Sequence, residues 1–232
     1  MSPRRTRPPL DANRITAAAV AIADRDGMGA VSMRSVAKAV GVEAMSLYHH
    51  VANKDALIDL MVDAVFGEIA VHDVEWSGSE RAAGEPWQDA VHRRSRSVRA
   101  ALRRHPWATG LLDSRSTPGP ATLAHHDAVL GCLRRAGFSI AEAAHAFALL
   151  DSFVYGFVLQ EAALPFDGPD EIPELATTML AAIAPGAYPY LVEMATEHVL
   201  VAGYDFADEF EIGLATITEA LERRRLRTAA RS

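Results

Sequence analysis

The sequence predicts an all-α fold in which a small N-terminal head of three helices precedes a larger helical body. Apolar residues recur at helical spacing through most of the 232 residues, which is typical of amphipathic helices. No run of alternating apolar and polar residues favours a sheet, and glycine or proline ends one helical stretch after another, as at Gly41, Pro106 and 118–120. Half of the residues are apolar, so the chain can bury a substantial core.

The composition favours a cytoplasmic protein without a membrane segment. Cys132 is the one cysteine, so no intrachain disulfide can form, which fits a reducing compartment. No apolar run follows the basic start, and we therefore expect no signal peptide. The most apolar stretch, 143–159, is interrupted by His145 and Asp151, so we expect no membrane span.

Charge is distributed unevenly along the chain. The net charge is −7, but residues 1–54 carry eight Lys or Arg against four Asp or Glu, a net charge of +4. The remainder carries 15 against 26, a net charge of −11. A basic head on an acidic body can present one face to phosphates while the rest is repelled from them. Chance variation in surface charge accounts for the same numbers equally well.

Three helices are predicted in the head. Asp11 is the expected N-cap of the first, and Gly27 ends it. Ser32 caps the second, which stops at Gly41. After a brief turn, a third and shorter helix is predicted over about 44–50.

The body is predicted to be helical throughout, with a Gly-, Ser- and Glu-rich loop at 73–85 and an acidic loop at 165–173. Asn53 caps its first helix, and Ser139 with Glu142 forms a capping box that opens a long apolar one. We expect its helices at 53–69, 87–104, 107–112, 122–136, 139–163, 174–183, 189–201 and 206–227.

The segment 31–50 combines a helix, a glycine turn and a short second helix, which is helix-turn-helix geometry. In that arrangement the second helix lies in the DNA major groove. Leu47 and Val51 are four residues apart and should face inward. Short or flat polar side chains that can reach base edges or phosphates lie on the other face, namely Ser46, Tyr48, His49 and His50. An ordinary helical hairpin is the alternative interpretation of the glycine turn alone.

The same residues resemble the tetracycline-repressor (TetR) family of transcriptional regulators. The most specific match is the run Ser46-Leu47-Tyr48-His49-His50-Val51-Ala52-Asn53-Lys54. Further matches are Val31-Ser32-Met33-Arg34-Ser35-Val36-Ala37, the turn Gly41-Val42, and, in the body, Trp87-Gln88-Asp89, 101–106, 136–139 and 210–214. The resemblance covers most of the chain after the first nine residues, and it argues against an ordinary helical hairpin.

The resemblance implies a set of DNA contacts and a domain division. Arg34 reaches guanine or phosphate, Ser46, Tyr48 and His49 project from the recognition helix, and His50 and Lys54 bind phosphate. Met33, Ala44 and Met45 stand where the family often has other residues, which puts the operator sequence in doubt. We expect a flexible basic arm at 1–9, a helix-turn-helix domain at 10–56, an effector-binding and dimerisation domain at 57–227 and a tail at 228–232. Arg4, Arg5 and Arg7 of the arm either enter the minor groove or form a solvated tail.

In the body, the resemblance implies a ligand cavity and a homodimer. Residues on the helices that enclose the cavity in similar proteins are Arg94, Val98, Trp107, Leu112, His126, Val129, Phe147, Asp151 and Tyr155; each is also a candidate for plain core. Two apolar stripes form the expected four-helix dimer interface, Phe153, Gly156 and Phe157 on one helix and Phe210, Leu214, Ile217 and Leu221 on the last. Packing within the chain is the alternative.

The sequence therefore predicts a ligand-responsive, DNA-binding transcriptional repressor acting as a dimer on a palindromic operator; an activator, or a regulator without a small effector, is the alternative. In drug-sensing members of the family a histidine holds a magnesium–tetracycline chelate, and its place falls at about Leu112 here. Leucine does not bind a hard cation, so we expect a small organic effector, no metal and no cofactor. We expect no enzymatic activity, because neighbouring histidines diverge around a helix and no H-E-x-x-H motif or Gly-rich phosphate loop occurs.

Overall fold

The computed structural model describes residues 9–69, 86–112, 114–166 and 168–230. Ten α-helices and no strand occur in these ranges, so the predicted all-α fold is confirmed. The chain forms two compact units, residues 1–148 and 149–232. The predicted arm up to residue 8, the predicted loop at 73–85 and the end of the tail lie outside the described residues, and the predicted domain boundaries stay a prediction.

The head begins with α1 (Ala12–Asp26) and α2 (Met33–Val40), which both start at their predicted caps. The Asp11 carboxylate accepts a hydrogen bond from the Arg14 N–H at 2.8 Å. Ser32 and Ser35 cap α2 reciprocally: the Ser35 N–H donates to the Ser32 hydroxyl at 3.1 Å, and the Ser32 N–H to the Ser35 hydroxyl at 2.9 Å. Gly41 ends α2 in the left-handed region, at φ 73° and ψ 45°.

The third helix is shorter than predicted. α3 (Ala44–Leu47) makes one turn, and the chain continues to His50 as a hydrogen-bonded turn rather than a helix. The N–H groups of His50 and Val51 both donate to the Leu47 carbonyl at 2.9 Å, which closes this turn. α4 (Lys54–Glu68) follows, capped by Asn53, whose side chain accepts from the Ala56 N–H at 2.8 Å.

The first unit is completed by α5 (Trp87–Arg104), α6 (Pro120–Arg135) and the start of α7 (Ile140–Ala162). The prediction of a short helix at 107–112 is wrong. The chain makes a single 3₁₀ turn, Pro106–Ala108, which is followed by non-helical turns to residue 112. α6 begins two residues before its predicted start because proline, lacking an N–H, is tolerated at the first helical position. The predicted capping box of α7 is confirmed by bonds of 2.9 and 3.2 Å between Ser139 and Glu142.

The second unit contains the remainder of α7 with α8 (Ile172–Ala181), α9 (Pro189–Met194) and α10 (Asp208–Ala229). α9 ends earlier than predicted and continues as a π-helical turn, Ala195–Val199. Aromatic rings join α7 to α10: Phe157 stacks on Phe206 at 5.0 Å between centroids, and Phe153 stacks on Phe210 at 5.5 Å.

By length and composition alone, α7 is apolar enough to cross a membrane. One such helix among the described residues is weak support for a membrane segment, because core helices of soluble proteins share that composition. Ala146, Leu150 and Val154 of α7 are buried.

Candidate nucleic-acid interface and ligand cavity

α2, the turn at Gly41 and α3 are held on α1 by a common apolar core. Leu47 is fully buried and Val51 nearly so, as their spacing predicts. They pack in one cluster with Ile15, Ala19, Ile22, Val36, Ala37 and Val40. Because this core fixes the inner face of the motif, the outer face of α3 and of the turn after it is rigidly presented to solvent.

The outer face carries most of the predicted recognition residues. Tyr48 is 46% exposed and Met45 73%, and His49 and His50 are exposed beside them, while Ser46 is half-buried. Met33 and Ala44 are also half-buried and pack against the apolar core of the head. These two positions are therefore less available to a base edge than Tyr48 or His49.

Three cations flank this face. Arg34 and Lys38 of α2 and Lys54 at the start of α4 are exposed, and none makes a hydrogen bond or ion pair within the described part of the chain. In contrast, Arg14 donates to the Val40 carbonyl at 2.9 Å, and Arg25 pairs with Asp26. Sequence reasoning missed Lys38, although it lies one helical turn after Arg34.

A cavity of about 150 Å³ lies in the first unit between α4, the loop before α6 and α6 itself. It is lined by Asp59, Val62, Leu112, Arg115, Thr117, Pro118, Gly119, Thr122 and His126. Of these, sequence reasoning identified only Leu112 and His126, because the other seven come from segments whose proximity depends on the tertiary fold.

Two polar contacts involve residues that line this cavity. Arg115 pairs with Asp59 of α4 at 2.5 Å, with both side chains largely shielded from water. Asp63 of α4 accepts hydrogen bonds from the Thr122 N–H at 2.8 Å and the Thr122 hydroxyl at 3.0 Å. Asp63 thereby caps the first turn of α6 from a different helix.

His126 lines the cavity and has one buried ring nitrogen without a hydrogen-bond partner among the described residues. Its Nε2 is buried and makes no hydrogen bond within the described residues. The imidazole ring is enclosed by aromatic rings, with centroid distances of 5.5 Å to Phe66 and 5.3 Å to Phe147. A buried ring nitrogen without a partner is uncommon, because most buried polar atoms are hydrogen-bonded.

Residues 15–61 match the family of bacterial regulatory proteins named for tetR, and residues 81–225 match the tetracyclin repressor-like C-terminal domain. The chain belongs to the TetR family.

Relatives agree with this assignment. An HTH-type transcriptional regulator of Saccharopolyspora erythraea is 39% identical over 68% of this chain, and the match spans 64% of that relative's length. The transcriptional repressor DrrR1 of Streptomyces coeruleorubidus is 32% identical over 94% of this chain and 80% of its own. The crystal structure of ActR from Streptomyces coelicolor with actinorhodin is 27% identical, covers 92% of this chain and 95% of ActR, and has a TM-score of 0.74.

The predicted function is confirmed by this membership: the chain is a DNA-binding transcriptional repressor of the ligand-responsive TetR type. The helix-turn-helix motif on which the sequence prediction rests lies inside the matched N-terminal segment.

Seven residues that the resemblance to the TetR family implies for a ligand cavity do not line the cavity beside α4. Trp107 packs against the apolar core of the head, and its indole N–H donates to the Asp24 carboxylate at 2.6 Å. Arg94 is buried and bonds to the Nε2 atom of His125 at 2.8 and 3.1 Å. In the first unit, Val98 and Val129 are buried and Phe147 is half-buried. Asp151 and Tyr155 belong to the second unit, where Asp151 is buried and Tyr155 half-buried.

The apolar stripes predicted for the dimer interface are mostly packed within the chain. Phe210 and Leu214 are fully buried, and Phe157 and Leu221 nearly so, which makes them intrachain core. Phe153 and Ile217 are half-buried, and Gly156 is exposed. The helical period was correct, but a period alone does not distinguish a stripe that packs on its own chain from one that packs on a partner.

Proposed function

We propose that this TetR-family repressor acts in the cytoplasm as a homodimer that binds a palindromic operator and releases it when a small organic effector occupies the cavity beside α4. The observation that carries the proposal is the exposed polar face of α3 and its following turn, flanked by three cations that make no hydrogen bond or ion pair within the described residues.

Each side chain of that face has a distinct expected contact. Ser46, Tyr48 and His49 lie where a helix in the major groove meets base edges. Arg34, Lys38 and His50 approach phosphates on either side. Lys54 adds its charge to the N-terminus of α4, where the helix dipole also favours an anion.

A binding titration separates the two kinds of contact. The probe is palindromic DNA selected from a random pool by the wild-type protein, with unselected duplex for comparison. Lys54→Ala should weaken binding to both duplexes and reduce the slope of log affinity against log salt concentration by about one unit. Tyr48→Ala should weaken binding to the selected duplex by about 1–3 kcal/mol and binding to the unselected duplex far less. Arg25→Ala is the matched control, because Arg25 is a head arginine already paired with Asp26. Unchanged affinity of Tyr48→Ala for selected DNA refutes the recognition face.

The cavity supports an organic effector held without a divalent ion. A volume of about 150 Å³ suits one aromatic ring, since a cavity of about that size holds benzene, whereas drug-sized ligands need about 300–1,000 Å³. A larger effector would therefore place one ring here and extend outward. Leu112 and Val62 supply apolar wall, and the imidazole of His126 is one of the polar groups among the lining residues.

Thermal-shift measurements with substituted phenols, with and without magnesium, test this site. A ligand that binds the folded state raises its stability by RT ln(1 + [L]/Kd). We expect phenols to stabilise the wild type without magnesium and His126→Phe much less, because phenylalanine keeps the ring and removes the nitrogen. Stabilisation that requires magnesium, or that is equal in His126→Phe, overturns the proposed site.

The homodimer is supported by exposed apolar residues on the second unit. They include Leu159 of α7 and Ile212 and Leu226 of α10, each more than half exposed in the single chain. Gly156 is exposed on the same part of α7, and small residues let helix backbones approach closely.

A further inference from the structure

A buried histidine joins the head to the body of the first unit. The side chain of His105 is only 7% exposed, and both of its ring nitrogens lie against carboxylates. Nδ1 is 2.7 Å from Oδ1 of Asp24 in α1, and Nε2 is 3.1 Å from Oε2 of Glu68, the last residue of α4. The ring therefore links the first helix of the DNA-binding head to the end of the helix that lines the cavity.

The number of N–H groups on the His105 ring determines how many of its two carboxylate contacts are hydrogen bonds. An ionised carboxylate only accepts hydrogen bonds, and a neutral imidazole has one N–H, so a neutral His105 satisfies one of the two contacts. The other ring nitrogen would then direct a lone pair at a carboxylate oxygen. Only the doubly protonated ring donates to both, and the resulting bonds are charge-assisted.

The surrounding groups balance the charge of that ring. Arg104, the last residue of α5, donates to Glu68 at 2.8 Å, and the Trp107 indole donates to Asp24. With the His105 ring doubly protonated, two carboxylates thus face one arginine and one imidazolium. Burial alone would raise the pKa of Glu68, but the bonds from Arg104 and His105 outweigh it and hold the pKa below its ordinary value.

We propose that His105 is a proton-dependent positioning residue: its protonated ring fixes the DNA-binding head on the ends of α4 and α5, and loss of one proton releases one of the two connections. The orientation of α1 then becomes less restricted. Operator affinity is accordingly lower when the ring is singly protonated, in addition to any effect of His49 and His50 on the DNA face.

The experiment measures affinity for wild-type-selected palindromic DNA at pH 6 and pH 8, at constant salt. His105→Gln has one donor group and one acceptor group at both pH values, so it mimics the neutral ring and retains the contributions of His49 and His50. We expect the wild type to lose about fivefold more affinity between the two pH values than His105→Gln does, the lower end of ordinary coupling between sites. His198→Gln is the matched control, because His198 contacts one carboxylate, Glu209, in the second unit.

A second variant guards against a folding defect in the first. Asp24→Asn leaves the histidine in place and replaces the charged acceptor by a neutral amide oxygen that can still accept from Trp107. It removes the charge-assisted bond to the doubly protonated ring, so it should also flatten the pH profile. Circular dichroism establishes that each variant is folded. The proposal is overturned if His105→Gln and the wild type have parallel pH profiles, or if Asp24→Asn retains the full wild-type dependence.

Discussion

Gly119 lies against the carboxylate of Asp63 so closely that a Cβ at position 119 would overlap it. This contact joins the loop before α6 to the middle of α4, at the point where Asp63 also caps α6 through Thr122. Glycine is required here by space rather than by backbone conformation. Gly119 lines the cavity, and its contact with Asp63 holds the loop before α6 against α4.

Gly119→Ala should therefore destabilise the first unit. Overlap with a well-packed neighbour costs about 1–3 kcal/mol, and in a chain of this size each kcal/mol lowers the melting temperature by about 2–4 °C. Thermal unfolding followed by circular dichroism measures the change. Gly110→Ala is the matched control, because a Cβ there meets nothing within 4 Å. An equal effect of the two substitutions would contradict the packing described here.

Gly41→Ala should weaken the helix-turn-helix motif. Gly41 adopts φ 73° and ψ 45°, a conformation that costs an L-residue about 1–2 kcal/mol, whereas asparagine tolerates it better. We expect a lower urea midpoint for Gly41→Ala and partial recovery in Gly41→Asn. Gly29→Ala, in the same head but without a positive φ and with open space around it, should change the midpoint little. Alanine and asparagine variants of equal stability would argue against a conformational role.

Features encoded by neighbouring residues were predictable from the sequence. Ser32 and Gly41 delimit α2 through hydrogen bonds and backbone conformation within a few residues of themselves, and Ser139 with Glu142 opens α7 in the same way. Leu47 and Val51 needed only the helical spacing. The helix-turn-helix motif and its exposed face were predictable for this reason.

Features that depend on distant contacts were not. Trp107 looked like a ligand contact because its partner, Asp24, lies 83 residues earlier in the chain. The pairing of Arg115 with Asp59 spans 56 residues and leaves no local pattern. Apolar periodicity on α10 identified Phe210 and Leu214 as important, but their burial inside the chain follows from the aromatic packing with α7.

Glu68 should stabilise the fold in a pH-dependent manner. Its folded-state pKa is lowered from the ordinary 4.5, so its contribution is present above that value and is lost as the pH falls through the lower, folded-state pKa. Glu68→Gln should therefore lower the urea midpoint at pH 7, and the difference from wild type should shrink below about pH 4. Glu219→Gln, in an exposed pair with Arg223, is the control and should matter little at either pH. A Glu68→Gln deficit that persists unchanged in acid would exclude the linkage.

Gly156 provides the sharpest test of the proposed homodimer. Within the single chain a Cβ at this position meets nothing within 4 Å, so Gly156→Leu should leave the folded subunit intact. At an interface between helices the same side chain would separate the two backbones, and overpacking of about 1–3 kcal/mol weakens association by roughly 5- to 160-fold. Sedimentation across a concentration series should give a dimer for the wild type and for Gly110→Leu, which adds equal bulk in open space on the first unit. Gly156→Leu should dissociate at higher protein concentrations than either. A monomeric wild type rules out the homodimer, whereas a wild-type dimer with unchanged dissociation of Gly156→Leu moves the interface away from this face of α7.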